Sequence, residues 1–174
     1  AKADSKAEAT ELINDLQRKI EDALGNSVFA YDDDCMEDAV FKLLKEKKKT
    51  IALAESCTGG LVASLLTNVS GISEYLLEGV VTYSNKAKID ILKVPENLII
   101  ENGAVSHDVA AAMASGVRKL SGADIGIGIT GIAGPTGGTD EKPVGLVYIA
   151  VDINDSVEVK QNIFSGDRRS VKTR

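Results

Sequence analysis

The stretch T-I-A-L-A-E-S-C-T-G-G, Thr50–Gly60, decides the fold. Thr50–Ala54 is a short apolar run and reads as a buried strand. Glu55–Gly60 follows as a turn of small and polar residues, and Leu61–Asn68 is helical in texture. A strand that passes through a glycine turn into a helix opens a parallel α/β unit. The same grammar recurs downstream. Gly79–Tyr83 (GVVTY) reads as a second strand, and Lys86–Leu92 as a helix stopped ahead of Pro95. Gly103–Val105 is extended, and Ser106 caps a long, Ala-rich helix that runs to about Leu120. Ala123–Thr130 (ADIGIGIT) is a third strand, and Gly131–Pro143 a long glycine loop. Val144–Asp152 and Val157–Phe164 are two strands joined by a hairpin turn at Ile153–Ser156. A last helix begins near Asp167 and is unfinished at Arg174. The predicted fold is a three-layer α/β/α sandwich with a mixed, partly parallel central sheet and a C-terminal β-hairpin.

Upstream of Thr50 the texture differs. Residues 1–26 read as one amphipathic helix, with Leu12, Ile13, Leu16, Ile20 and Leu24 on one stripe and Gly25 as its stop. Val28–Tyr31 is expected to be a short strand. Asp32–Asp34 offer N-cap oxygens to a helix from Cys35 to about Lys47. The lysines at its end (Lys45, Lys47, Lys48, Lys49) suit a helix C-terminus or simply form a solvated face. The expected division is a segment 1–34 followed by a domain 35–174.

Composition limits the function. A chain of 174 residues, 44% hydrophobic and 26% charged, has the make-up of an ordinary soluble domain with a short appendage. The net charge is -6, with no Lys/Arg block, and aromatics are 4% with no Trp. Nucleic acid is therefore not an expected partner. No apolar run nears the ~18 residues that span a bilayer, and there is no signal-peptide pattern, so a cytoplasmic protein with no membrane partner is expected. Two cysteines, Cys35 and Cys57, are too few for a disulfide framework, and a single histidine, His107, excludes most zinc sites built on these ligands. Neither a metal nor a cofactor is expected.

Two glycine patterns are decoys. Gly126, Gly128 and Gly131 spell G-x-G-x-x-G, but the first two lie inside a strand and Pro135 follows, whereas the dinucleotide fingerprint opens a helix. Small residues within a strand let another element approach closely. GIAGPTGG lacks the Gly-Lys-Ser/Thr of a P-loop. What remains is a pair of loops, Thr58-Gly59-Gly60 and Thr130–Gly138, each following a strand. Their N–H groups are placed to hold a phosphate or an oxyanion at the carboxyl edge of the sheet, or the loops are only tight turns. Ser56 stands where a nucleophile or an N-cap would, and Cys57 is its rival or a small buried residue. The candidate bases are His107, in the first turn of a helix, and Lys86 and Lys88, just after Tyr83-Ser84-Asn85. A lysine serves only if its pKa is lowered.

Six ordered motifs resemble one family: AESCTGG (Ala54–Gly60), VTYSNKAK (Val81–Lys88), GAVS (Gly103–Ser106), GITGIAGPTGG (Gly128–Gly138), EKPVG (Glu141–Gly145) and FSGDR (Phe164–Arg168). They are similar to the C-terminal domain of CinA, found alone as the PncC nicotinamide-nucleotide amidases. The resemblance covers about residues 35–174, while residues 1–34 resemble the end of the CinA middle region. It implies a fragment of a longer protein whose N-terminal domain is associated with ADP-ribose pyrophosphatase activity. It also implies a homodimer, and a last helix longer than the one present here. The implied reaction is hydrolysis of the carboxamide of nicotinamide mononucleotide to nicotinate mononucleotide and ammonia, in pyridine-nucleotide salvage. The implied catalytic residues are Ser56 and Lys88 as a dyad, with Tyr83. The implied substrate-binding residues are Thr58, Gly59, Gly60, Asn85, Thr130, Gly131, Gly134, Gly137, Gly138 and Arg168. The competing expectation is a non-catalytic partner-binding or regulatory module of a competence- or damage-associated protein.

Overall fold

Every residue of the first strand, β1 (Ile51–Glu55), is buried, because it lies between two strands and two helical layers. The computed structural model describes residues 2–173; Ala1 and Arg174, at the outer ends of the first and last expected helices, lie outside the described residues. Successive side chains of a strand point to opposite faces. Ile51 and Leu53 accordingly pack with Leu44 of helix α2 (Met36–Lys47) and Leu66 of helix α3 (Leu61–Leu66). Ala52 and Ala54 pack on the other side. Their partners are Val109, Met113 and Val117 of helix α6 (His107–Ser121), with Leu92 of α4 (Asn85–Leu92) and Ile99 of α5 (Glu96–Asn102). Each fully buried aliphatic side chain contributes about 1.5–3 kcal/mol. The result is an α/β/α sandwich.

The sheet order is β2-β1-β3-β4-β5. β2 (Leu76–Val81), β1 and β3 (Ile125–Gly131) are parallel. β4 (Leu146–Ile153) and β5 (Ser156–Ile163) continue it antiparallel. Asn154 and Asp155 form the two-residue hairpin turn with φ of 53° and 63°, the left-handed pair that such turns require. α3 connects β1 to β2 on one face; α4, α5 and α6 connect β2 to β3 on the other. Gly126 and Gly128 let α6 lie against β3: an added Cβ would sit 2.2 Å from the Ala114 carbonyl oxygen or 2.4 Å from that of Ala110. Their role is close packing, as the strand position of the false dinucleotide pattern implies. Helix α7 (Arg168–Thr173) is anchored by buried Val171 in a cluster with Ile129 and Val147.

Several expectations shift. Helix α1 spans Lys6–Leu24, capped by Ser5, and its stripe residues Leu12, Ile13, Leu16, Ile20 and Leu24 are exposed. Val28–Tyr31 is not a strand. Val28, Ala30 and Tyr31 line a groove with Ile13, Leu16 and Ile20 of α1, and the Tyr31 hydroxyl donates to Glu21. β2 starts three residues earlier than expected, at Leu76, after a short turn of 3-10 helix at Ile72–Glu74. α5 follows Pro95 directly: the proline that ends one helix caps the next. The chain divides into two compact units, Ala1–Ala39 and Val40–Arg174. Among the described residues no helix is long and apolar enough to cross a membrane.

Candidate active site

The three parallel strands end at one edge of the sheet, and the register places their successors side by side. Glu55 pairs with Val81 on one side and Ile129 on the other. The next residues, Ser56, Thr82 and Thr130, are therefore neighbours. Ser56 N–H donates to the Ile129 carbonyl (3.0 Å), and Thr82 N–H to the Glu55 carbonyl (2.8 Å), which extends the ladder by one step. Ser84 then caps α4 by accepting from the Ala87 N–H, so the helix starts at once and its first turn returns Lys88 to the strand ends.

Lys88 is 1% exposed and Ser56 8%. Lys88 Nζ lies 3.0 Å from Ser56 Oγ, 2.8 Å from the Thr82 carbonyl and 3.4 Å from the Tyr83 carbonyl. Among the described residues no carboxylate lies within ion-pair distance of it. Burial pushes the Lys88 ammonium below the ordinary lysine range, against a small opposing effect of the Cys57 thiol. The partner set suits the neutral amine. Nζ donates to the Ser56 hydroxyl oxygen and to two carbonyls; with one proton lost, two N–H bonds can stay on the carbonyls while the lone pair accepts from Ser56.

This pair opens into a cavity of about 190 Å³, walled also by Tyr83, Asn85, Thr130, Gly131 and Arg168. Arg168 fixes one side, donating from Nη1 to the Gly134 carbonyl (2.9 Å) and from Nη2 to the Tyr83 hydroxyl oxygen (2.8 Å). Tyr83 thus accepts from Arg168 and keeps its own proton to donate. Thr130 Oγ1 donates to the Ala104 carbonyl (2.8 Å), holding the wall formed by Ala104 and Val105.

Thr58, Gly59, Gly60, Gly134, Gly137 and Gly138 do not line this cavity. The N–H groups of Gly59 and Gly60, expected to face an oxyanion, are engaged within the turn. That of Gly59 donates to the Ser56 carbonyl (3.1 Å), and that of Gly60 to the Glu55 carboxylate (3.0 Å). Thr58 is buried beside them. Gly134 contributes its carbonyl to Arg168; Gly138 is packed against Val144, and Gly137 lies near Ile132. The rival chemistry falls away from the centre. His107 is exposed and contacts Asp108 outside the cavity. Lys86 is exposed and pairs with Asp90. Cys57 lines the cavity, but burial pushes its thiol up, away from the thiolate.

Glu55 is the residue that pattern reasoning passed over. Its side chain is 1% exposed. It accepts from the N–H groups of Gly60 (3.0 Å), Val62 (3.2 Å) and Ala63 (2.8 Å), at the start of α3. The carboxylate ties both ends of the turn that carries Ser56. One signal was available: a charged residue closing a wholly apolar strand has to find donors.

The CinA C-terminal domain model matches residues 33–174. The chain belongs to the CinA C-terminal domain family. A competence-damage inducible protein of Thermoanaerobacter pseudethanolicus is 49% identical over 174 residues, all of this chain and 42% of that protein. One of Clostridioides difficile is 52% identical over 181 residues, again covering all of this chain and 43% of that protein. The chain thus spans less than half the length of these relatives. Among solved structures, a CinA superfamily protein of Escherichia coli aligns with TM-score 0.76 at 33% identity, over 86% of this chain and 90% of that one. A competence/damage inducible protein of Agrobacterium tumefaciens gives 0.76 at 37%, over 78% and 84%.

Proposed function

We propose that this CinA domain is an amidase that hydrolyses the carboxamide of nicotinamide mononucleotide to nicotinate mononucleotide and ammonia. The observation that carries this reading is the 3.0 Å contact between buried Lys88 Nζ and Ser56 Oγ, with two carbonyls as the amine's other partners. Ser56 Oγ forms a bond to the carboxamide carbon while its proton passes to the Lys88 lone pair. The carbonyl π electrons move to oxygen, facing the Tyr83 hydroxyl and the Asn85 amide at the cavity wall. The C–N bond then breaks, and the nitrogen leaves as ammonia with the proton held by Lys88, delivered directly or through Tyr83. A water yields its proton to Lys88 and adds to the acyl carbon. The Oγ–C bond breaks, and Ser56 recovers a proton. The net change is one amide and one water to one acid and one ammonia.

The test is ammonia release from nicotinamide mononucleotide by this chain, with Ser56→Ala as control. Release that vanishes in Ser56→Ala supports the reading. No release from the native chain overturns it in favour of the partner-binding module. Release that survives Ser56→Ala but not Cys57→Ala transfers the nucleophile to the thiol.

A further inference from the structure

Four consecutive carbonyls, those of residues 102–105, are each taken by a side chain. Lys142 Nζ donates to the carbonyls of Asn102 (2.5 Å) and Val105 (2.8 Å). Ser106 Oγ donates to that of Gly103 (3.0 Å), and Thr130 Oγ1 to that of Ala104 (2.8 Å). Residues 103–106 join α5 to α6 outside any helix or strand, and Ala104 and Val105 wall the catalytic cavity. We propose that Lys142 is a positioning residue: it straps the glycine loop between β3 and β4 to this segment, and so sets the width of the cavity at Ser56 and the size of the ring admitted there. The effect on substrate choice rests on the amidase reading; the strap itself does not.

The loop is folded so as to hold that lysine in place. At its base the Ile132 N–H donates to the Leu146 carbonyl and the Gly145 N–H to the Ile132 carbonyl, both at 2.8 Å. Near its tip Thr139 and Lys142 close a turn. The Lys142 N–H donates to Thr139 Oγ1 (3.0 Å), and the Thr139 N–H to the Lys142 carbonyl (2.9 Å). The Lys142 side chain leaves this turn and reaches the end of α5. Asn102 is the last residue of that helix, where carbonyls have no partner within the helix. Gly103 leaves room for the amine: φ is +72°, and an added Cβ would sit 3.1 Å from Lys142 Nζ. The loop also contributes Ala133 to the cavity. Ala133 thus stands on one element and Ala104 and Val105 on another, and Lys142 fixes the first to the second. Thr130 holds the middle of the segment from β3 and leaves the carbonyls on either side to Lys142. Asn102 and Val105 are only partly buried, so without Lys142 their carbonyls turn to water and the wall moves outward. The cavity, about 190 Å³, lies below the roughly 300–1,000 Å³ of common ligand sites, so such a move changes which ring fits.

The test reads the wall through Cys57, which lines the same cavity, in a Cys35→Ser background that removes the exposed thiol. Lys142→Met keeps the stem and removes the donors. It is expected to raise the rate of Cys57 alkylation by iodoacetamide by about fivefold or more, with the circular dichroism of the folded chain unchanged. Lys142→Arg keeps donors for both carbonyls and should label within about twofold of native, which separates the strap from any lesion at this position. The second readout is ammonia release from nicotinamide mononucleotide and from analogues with one methyl group at ring C4, C5 or C6. Lys142→Met should shift the ratio of kcat/KM toward at least one analogue by about tenfold or more, the weight of one carbon in a fitted pocket. A lesion in folding alone lowers all substrates alike. Native-like labelling in Lys142→Met overturns the strap. Faster labelling with unchanged ratios overturns its part in substrate choice. Faster labelling with no ammonia release from the native chain keeps the strap and overturns the amidase reading; ammonia release with native-like labelling does the reverse. Should the methionine variant fail to fold, Lys142→Gln, one atom too short to span both carbonyls, is read by the same two measurements.

Discussion

The two faces of helix α4 carry the same residue in opposite surroundings. Lys86, on the solvent face, sits 2.6 Å from Asp90, and the hydrogen bond and charge of that carboxylate push its pKa up. Lys88, two residues on, faces the strand ends, has carbonyls and a hydroxyl for partners, and is pushed down by burial. Nothing intrinsic to lysine distinguishes them. Sheet register and the Ser84 cap decide which one is desolvated, and desolvation without a counter-ion turns an ammonium into a base.

The largest effects should come from removing that base or its nucleophile. Lys88→Ala and Ser56→Ala are each expected to lower kcat on nicotinamide mononucleotide by on the order of 10³-fold or more. Lys88→Arg should be nearly as inactive, because a guanidinium does not deprotonate. The native profile of kcat/KM should rise with pH, since the reactive form is the amine. Its limb should lie below the ordinary lysine value of 10.5, because burial lowers the Lys88 pKa. An arginine variant that keeps a tenth of native activity would erase the distinction between the two faces.

Glu55 sharpens the comparison, since it holds the serine that Lys88 meets. Glutamine offers one acceptor oxygen and presents an NH₂ to N–H groups now satisfied by the second oxygen. Glu55→Gln should cost about 1–3 kcal/mol in denaturant unfolding. If the turn also aims Ser56, kcat should fall on the order of tenfold with KM nearly unchanged. A stability loss with native kcat would leave Glu55 as a purely structural cap.

How much of this was legible in the sequence depends on the range of the contact. β1 and the Ser106 cap were readable because their causes are local: an apolar run, and a hydroxyl before a helix. The glycines of β3 could be removed from the phosphate-loop class by the same local logic. Gly128→Ala tests that assignment. Its new methyl meets the Ala110 carbonyl and the Ala114 nitrogen, both backbone atoms that cannot turn aside, and should destabilise the domain by about 1–3 kcal/mol without changing KM. What stayed hidden was non-local. Val28–Tyr31 has strand-forming residues but packs along α1. The engagement of Gly59 and Gly60 within their own turn depends on where a buried carboxylate folds back. Only the resemblance singled out Lys88 over Lys86, because spacing alone leaves both on one helix.

The smallest expected effect is at Lys86. Both members of its ion pair are solvated, with side-chain exposures of 83% and 52%, so water and salt screen the attraction. The lysine precedes its acid along the helix, the less favourable order for such a pair. The hydrogen bond and charge of Asp90 push the lysine's pKa up, the opposite direction from Lys88, and it does not line the cavity that holds Ser56. Lys86→Ala should therefore leave kcat/KM within twofold and the pH limb unmoved, with a barely measurable change in melting midpoint. A shift of the limb in this variant would mean that the two faces of α4 are electrostatically coupled, and that the Lys86 charge contributes to the state of Lys88.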